Sequence, residues 1–290
     1  MTLRGGVGEP GDQSGDAGSD VTVSSTVPTR DGYTFTGWNT AADGSGTGYS
    51  GGDAFTLPSS GSDTLYAQWQ INSVTLTYDA QGGVGEPGDQ SGDAGSDVTV
   101  SSTVPTRDGY TFTGWNTAAD GSGTGYSGGD AFTLPSSGSD TLYAQWQINS
   151  VTLTYDAQGG VGEPGDQSGD AGSDVTVSST VPTRDGYTFT GWNTAADGSG
   201  TGYSGGDAFT LPSSGSDTLY AQWQINSVTL TYDAQGGVGE PGDQSGDAGS
   251  DVTVSSTVPT RDGYTFTGWN TAADGSGTGY SGGDAFTCRQ

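Results

Sequence analysis

"GYTFTGW" runs from Gly109 to Trp115 and stands again at Gly32–Trp38, Gly186–Trp192 and Gly263–Trp269. From Tyr110 to Thr113 aromatic residues alternate with threonine, the period of a strand with one buried face. Gly114 follows, where a ring or another backbone can approach closely. On this reading Tyr110 and Phe112 supply the core face of a strand, and Trp115 covers the sheet where it ends. The competing reading makes the rings an exposed platform for a ligand. Buried rings dominate the energetics of small domains, so core packing is the expectation.

Everything around the heptapeptide is copied too. Gly5, Gly82, Gly159 and Gly236 fix a period of 77 residues, and from Gly5 to Thr287 the copies do not differ. A repeat this long, holding several strand patterns, is a small domain rather than one turn of a solenoid. In the second copy Val74–Tyr78 alternates apolar residues with threonine, Val98–Ser101 is a second short strand, and Ala131–Leu134 is a short extended piece. Leu142, Ala144 and Trp146 lie on one face of a closing strand. Two stretches, "DAQGGVGEPGDQSGDAGSD" and "NTAADGSGTGYSGGD", read as loops: Gly, Pro, Asp and Ser without an apolar period. No segment has helical periodicity. The expected architecture is mainly β (α+β at most), four beads on a string at 1–73, 74–150, 151–227 and 228–290. The first lacks most of its opening strand and the fourth its closing strand. Neighbours are separated by only "QINS", which favours a semi-rigid string. Well-ordered modules are expected at Val74–Trp146 and Val151–Trp223, with frayed ends or self-association through open strand edges.

Composition narrows the function classes. Glycine supplies 55 of 290 residues and hydrophobics only 29%, yet aromatics reach 10% at fixed spacings, which argues against plain disorder. Six basic residues face 34 acidic ones, a net charge of −28. That field disfavours nucleic acid and anionic lipid as partners. No apolar run is long enough to insert into a membrane as a helix. Cys288 is the single cysteine, so no internal disulfide can form.

Motifs that look chemical have plainer readings. Gly83–Gly88 spells GxGxxG, but Pro87 and an acidic, glycine-rich run follow where a dinucleotide site needs a helix. Leu57–Gly61, "LPSSG", is an internal turn. No N-x-S/T sequon occurs. With neither histidine nor lysine the chain has no Ser-His-Asp triad, no His-ligated metal and no phosphate-binding lysine. The expectation is a protein that is not an enzyme, with no catalytic residue and no cofactor. For metals the best-placed carboxylates are Asp89, Asp93, Asp97 and their copies, which a calcium ion could recruit. The alternative is a solvated acidic loop.

Taken together, "VTLTYDAQGG", "VPTRDGYTFTGW" and "DTLYAQW" resemble the Listeria–Bacteroides repeat, the B-repeat of internalin-type surface proteins, over essentially every complete period. The resemblance implies a ubiquitin-like β-grasp module in tandem on a secreted, wall-attached or cell-surface protein. It implies a stalk or, alternatively, an adhesin-type repeat in which exposed loop aromatics such as Tyr126 hold a glycan or protein ligand. A disordered acidic linker is a third reading.

Overall fold

The computed structural model describes residues 2–4 and 6–289, so Met1, Gly5 and Gln290 lie outside it. The chain forms two compact units, Met1–Ile148 and Asn149–Gln290, each holding two of the repeats. The described residues are all β, with no helix among them.

The second repeat shows why. Its opening strand, Ser73–Asp79, buries Val74, Leu76 and Tyr78 and turns its threonines outward. Its closing strand, Ser139–Ile148, runs parallel to the opening strand, with Leu142 opposite Tyr78. The closing strand is antiparallel to the aromatic strand Tyr110–Asn116 on its other side. On the outer face the hydroxyls of Thr77 and Thr141 meet at 2.8 Å, one of the cross-strand pairs that stabilise a sheet. Gly125–Tyr126 pairs with the end of the aromatic strand, and Gln90–Asp93 pairs with the opening strand, completing a five-stranded mixed sheet. A separate two-stranded pair, Asp97–Thr99 with Ala131–Thr133, contributes Phe132 to a core shared with Val100 and Leu134.

A register shift between Phe112 and Gly114 interrupts the aromatic strand. This bulge puts one extra residue in the strand and thereby reverses which residues face inward. Gly114 has φ +143°, and a Cβ there would stand 3.1 Å from the Tyr126 carbonyl oxygen. Consequently Phe112 and Trp115 share one side, edge to face at 5.2 Å, and Trp115 is 1% exposed. The tryptophan is therefore a centre of the core rather than a cover at the sheet's end. Tyr110 is only half-buried and sits beneath a guanidinium instead of in the core.

The stretch read as one long loop also contains a strand, Gln90–Asp93. Its inward positions carry no apolar residue because neighbours fill the space. A Cβ on Gly92 would meet Leu134 Cδ1 at 2.9 Å. Gln90 Oε1 accepts the Tyr78 hydroxyl at 2.8 Å, while that hydroxyl oxygen accepts the Ser101 amide. Burial pushes the Tyr78 hydroxyl pKa up.

The third repeat reproduces this arrangement. The two ends differ from each other. In the first repeat the backbone of Thr2–Arg4 pairs in parallel with Thr64–Ile71, standing where an opening strand belongs. That repeat keeps a core of Val23, Trp38, Phe55, Leu57 and Leu65. In the fourth, three two-stranded pieces remain among the described residues and the central pairings are gone.

Candidate functional site

Gly32 and Thr34, the first and third residues of the heptapeptide, hold the next module. Between the closing strand Thr64–Ile71 and the next opening strand Ser73–Asp79 stands a single residue, Asn72. Its amide donates to the Gly32 carbonyl at 2.9 Å, and its own carbonyl accepts the Ala94 amide at 2.8 Å. Its side-chain oxygen accepts the Thr34 hydroxyl at 2.6 Å. Gly32 has φ +78°, and a Cβ there would lie 3.3 Å from Ala94 Cβ, so the turn after Asp93 packs directly on this glycine. In the second unit Asn226 makes the same three bonds, to Gly186, Ala248 and Thr188. An asparagine bonded on both sides fixes one module against the next more firmly than a free linker could.

The acidic loop that raised the calcium question forms part of this joint. Asp93 ends a strand, and its carbonyl oxygen accepts both the amide and the hydroxyl of Ser96. Asp97 opens the next strand, and its carboxylate accepts the Thr133 hydroxyl at 2.7 Å. Asp89 precedes the edge strand. Among the described residues no three carboxylates converge where a metal ion would bridge them.

The other flagged motifs resolve into packing. Gly83 is the seat of a ring: a Cβ there would fall 2.6 Å from Trp146 Cζ2. The Trp146 indole donates to the Ala80 carbonyl at 2.9 Å, and the Glu86 carboxylate accepts the Ala80 amide. Of the "LPSSG" turn, Leu134 is core and Gly138 has φ +78°. Cys288 lies in the position that Leu57, Leu134 and Leu211 hold, and it is buried like them. Tyr126, expected as an exposed loop aromatic, is half-buried and packs edge to face on Phe132 at 5.2 Å. It presents no open platform.

Asn116 belongs to no motif that the sequence singles out. It is 6% exposed and clamps the second loop: its amide nitrogen donates to the carbonyls of Gly121 and Gly123, and its oxygen accepts from Ala118 and Gly123. A buried amide with its bonding capacity used in this way rigidifies its surroundings. Within that loop Asp120 accepts the hydroxyl and amide of Ser122, bonds that hold its carboxyl below the usual value.

What remains outward is a recurring patch. Arg107 lies 4.0 Å over the Tyr110 ring and donates to the Gln81 carbonyl. Val104 is 61% exposed and Val84 70%, and the latter pairs backbone to backbone with Thr106. Their counterparts recur in the other repeats.

Comparison with known proteins agrees with this picture. The chain is 35% identical over 283 residues to a protein of Evansella cellulosilytica named as a Gly-rich membrane protein, covering 90% of this chain and 30% of that one. A second protein of that organism, named as a membrane protein, is 33% identical over 236 residues, 77% of this chain and 32% of its own length. Internalin H of Listeria monocytogenes is 41% identical over 130 residues, 43% of this chain and 21% of that protein. The chain thus spans about a third or less of these curated relatives. No helix among the described residues is long and apolar enough to cross a membrane. The model of the Listeria-Bacteroides repeat domain matches residues 3–68, 75–145, 152–222 and 229–289. With four tandem matches over nearly its whole length, the chain belongs to the Listeria-Bacteroides repeat family.

Proposed function

We propose that this chain is a non-enzymatic spacer of a bacterial surface protein, made of modules at 1–73, 74–150, 151–227 and 228–290 that hold another domain away from the cell. The observation that carries this reading is the asparagine joint: Asn72 and Asn226 each bond backward and forward, so that neighbouring modules within a unit share a fixed contact. A spacer needs stiff joints and an inert, self-repelling surface, and a net charge of −28 supplies the second. The parallel pair formed by opening and closing strands at the middle of the sheet supports a β-grasp-like module. Small-angle scattering tests the spacer directly. The full chain is expected to have a radius of gyration well above the roughly 19 Å of a compact globule of this length. A value near that figure ends the spacer reading.

A second reading, an adhesin-type repeat, is favoured by the exposed Val84–Val104 patch beside the Arg107–Tyr110 stack, presented once per module. A weak protein or glycan contact repeated along a chain gains affinity through effective concentration. Binding to host extract that climbs steeply with module number would favour this reading over a passive spacer.

A further inference from the structure

Asp–Gly stands twice in every repeat, at Asp31–Gly32 and Asp43–Gly44 in the first. At such a pair the glycine amide carries no Cβ beside it to hinder its approach to the preceding side chain. The two pairs are held differently. The Gly44 amide donates to the Ala41 carbonyl at 3.1 Å, and the Asp43 carboxylate accepts the Ser45 amide at 3.0 Å and the Ser45 hydroxyl at 2.7 Å. The bonds from Ser45, the hydroxyl first, hold the Asp43 carboxyl below its usual value. Asp31 is exposed, and among the described residues neither its carboxylate nor the Gly32 amide is hydrogen-bonded. The turn is closed around them instead, by the Tyr33 amide on the Arg30 carbonyl at 3.1 Å.

The unguarded pair is the one that carries the joint. Gly32 is buried, its carbonyl accepts the Asn72 amide at 2.9 Å, and Thr34 donates to the Asn72 side chain at 2.6 Å. A Cβ added to Gly32 would stand 3.3 Å from Ala94 Cβ, so the main chain has little room to lengthen there.

We propose that Asp31–Gly32 is a site of spontaneous aspartate isomerisation, and that the product loosens the joint between the first two modules. The Gly32 nitrogen attacks Asp31 Cγ and a nitrogen–carbon bond forms. The amide proton and the carboxyl hydroxyl leave, through solvent, as one water. Solvent water then adds to the main-chain carbonyl of the cyclic imide and breaks the bond from that carbon to the Gly32 nitrogen. The peptide link now runs through the Asp31 side chain, one carbon longer, with a free α-carboxylate and no change of mass. The contacts of Gly32 with Asn72 and Ala94 cannot all survive that insertion. At Asp43–Gly44 three hydrogen bonds must be given up before the same attack, and a carboxyl kept ionised loses water less readily. The proposal depends on the joint alone and stands with either the spacer or the adhesin reading.

The test ages the full chain at neutral pH and physiological temperature. Electron-transfer fragmentation of its peptides then maps isoaspartate separately in the contexts Thr-Arg-Asp-Gly and Ala-Ala-Asp-Gly. Isoaspartate is expected to accumulate at least about tenfold faster in the first context, because hydrogen bonds guard only the second. In urea strong enough to unfold the chain the two rates should converge. Asp31→Glu, made at an exposed and unbonded position, should lower the yield in the first context and leave the second unchanged. The Asn72 amide of the aged chain should show a population exchanging at least about tenfold faster than in fresh protein, absent from aged Asp31→Glu chain. Equal rates in the folded chain, a ratio that persists in urea, or an undiminished yield in Asp31→Glu overturns the site. Unchanged exchange at Asn72 after ageing overturns its effect on the joint.

Discussion

From Val151 to Thr210 and from Val228 to Thr287 the third and fourth repeats have the same sequence, yet they do not have the same structure. In the third, Tyr187–Asn193 is a seven-residue strand; in the fourth, only Trp269–Asn270 of the matching stretch is paired. Trp192 is 1% exposed, whereas Trp269 is half-buried. Other parts do not notice the difference. Asn270 still clamps Gly275 and Gly277, and Val252 still pairs with Phe286 as Val175 does with Phe209. The aromatic strand is thus conditional on a partner far along the chain, while loops and hairpins are settled locally. Strand preference measures fit to a half-buried surface, and removing that surface removes the preference.

Exchange of backbone amides should show this contrast at its largest. Amides of Leu153–Tyr155 and Phe189–Trp192 are expected to exchange at least about a hundredfold more slowly than those of Leu230–Tyr232 and Phe266–Trp269. Equal protection in a verified monomer would mean that the aromatic strand forms without its central neighbour, and the contrast would collapse.

Cavity formation gives a smaller, sharper probe. Trp192→Ala is expected to destabilise the third repeat by about 3–5 kcal/mol, the usual cost of emptying a core tryptophan site. Trp269→Ala, made where the core is already open, should cost less than about half of that. Exchange read repeat by repeat in increasing urea separates the two, and similar costs would show that the fourth core is closed.

The smallest effect concerns pH, and here the repeats should agree. The hydroxyl and amide of Ser199 hold the Asp197 carboxyl below its usual value, and Ser276 does the same for Asp274. Folding lowers these values, so their contribution is present above the unfolded carboxylate value and is lost as pH falls through the folded one, below about pH 4. Both side chains are exposed, which keeps the effect minor. Side-chain NMR titrations should give matching depressed midpoints for the two residues. A normal midpoint for Asp274 alone would show that this loop, too, needs the closing strand.

Much of the fold was legible from residue order. The alternation in Val74–Tyr78 and in Leu142–Trp146 placed both central strands with their buried faces correctly assigned. Trp115 was misplaced because a bulge leaves no mark but a glycine, and one inserted residue inverts the faces. Gln90–Asp93 escaped notice because its inward side is filled by Leu134 and Tyr78 from elsewhere. Tyr126 looked like a surface ring because a glycine-rich loop surrounds it, although Phe132 draws it in. The joint was the least readable part. "QINS" announces a short linker, but that Asn72 bonds to Gly32 and Ala94 depends on two modules already being folded.

That joint also settles how the protein would carry a load. Asn72 alone separates the closing strand Thr64–Ile71 from the opening strand Ser73–Asp79, so tension leaving the middle of one sheet enters the middle of the next. Within the second repeat the force arrives at Ser73 and departs at Ile148, on strands that run parallel and side by side. Pulled this way, the five residue pairs from Thr75–Ser139 to Asp79–Tyr143 are sheared together instead of being peeled open one by one. Rupture along this axis then requires the whole row of hydrogen bonds to fail together, a harder failure than the one-by-one opening that peeling would allow.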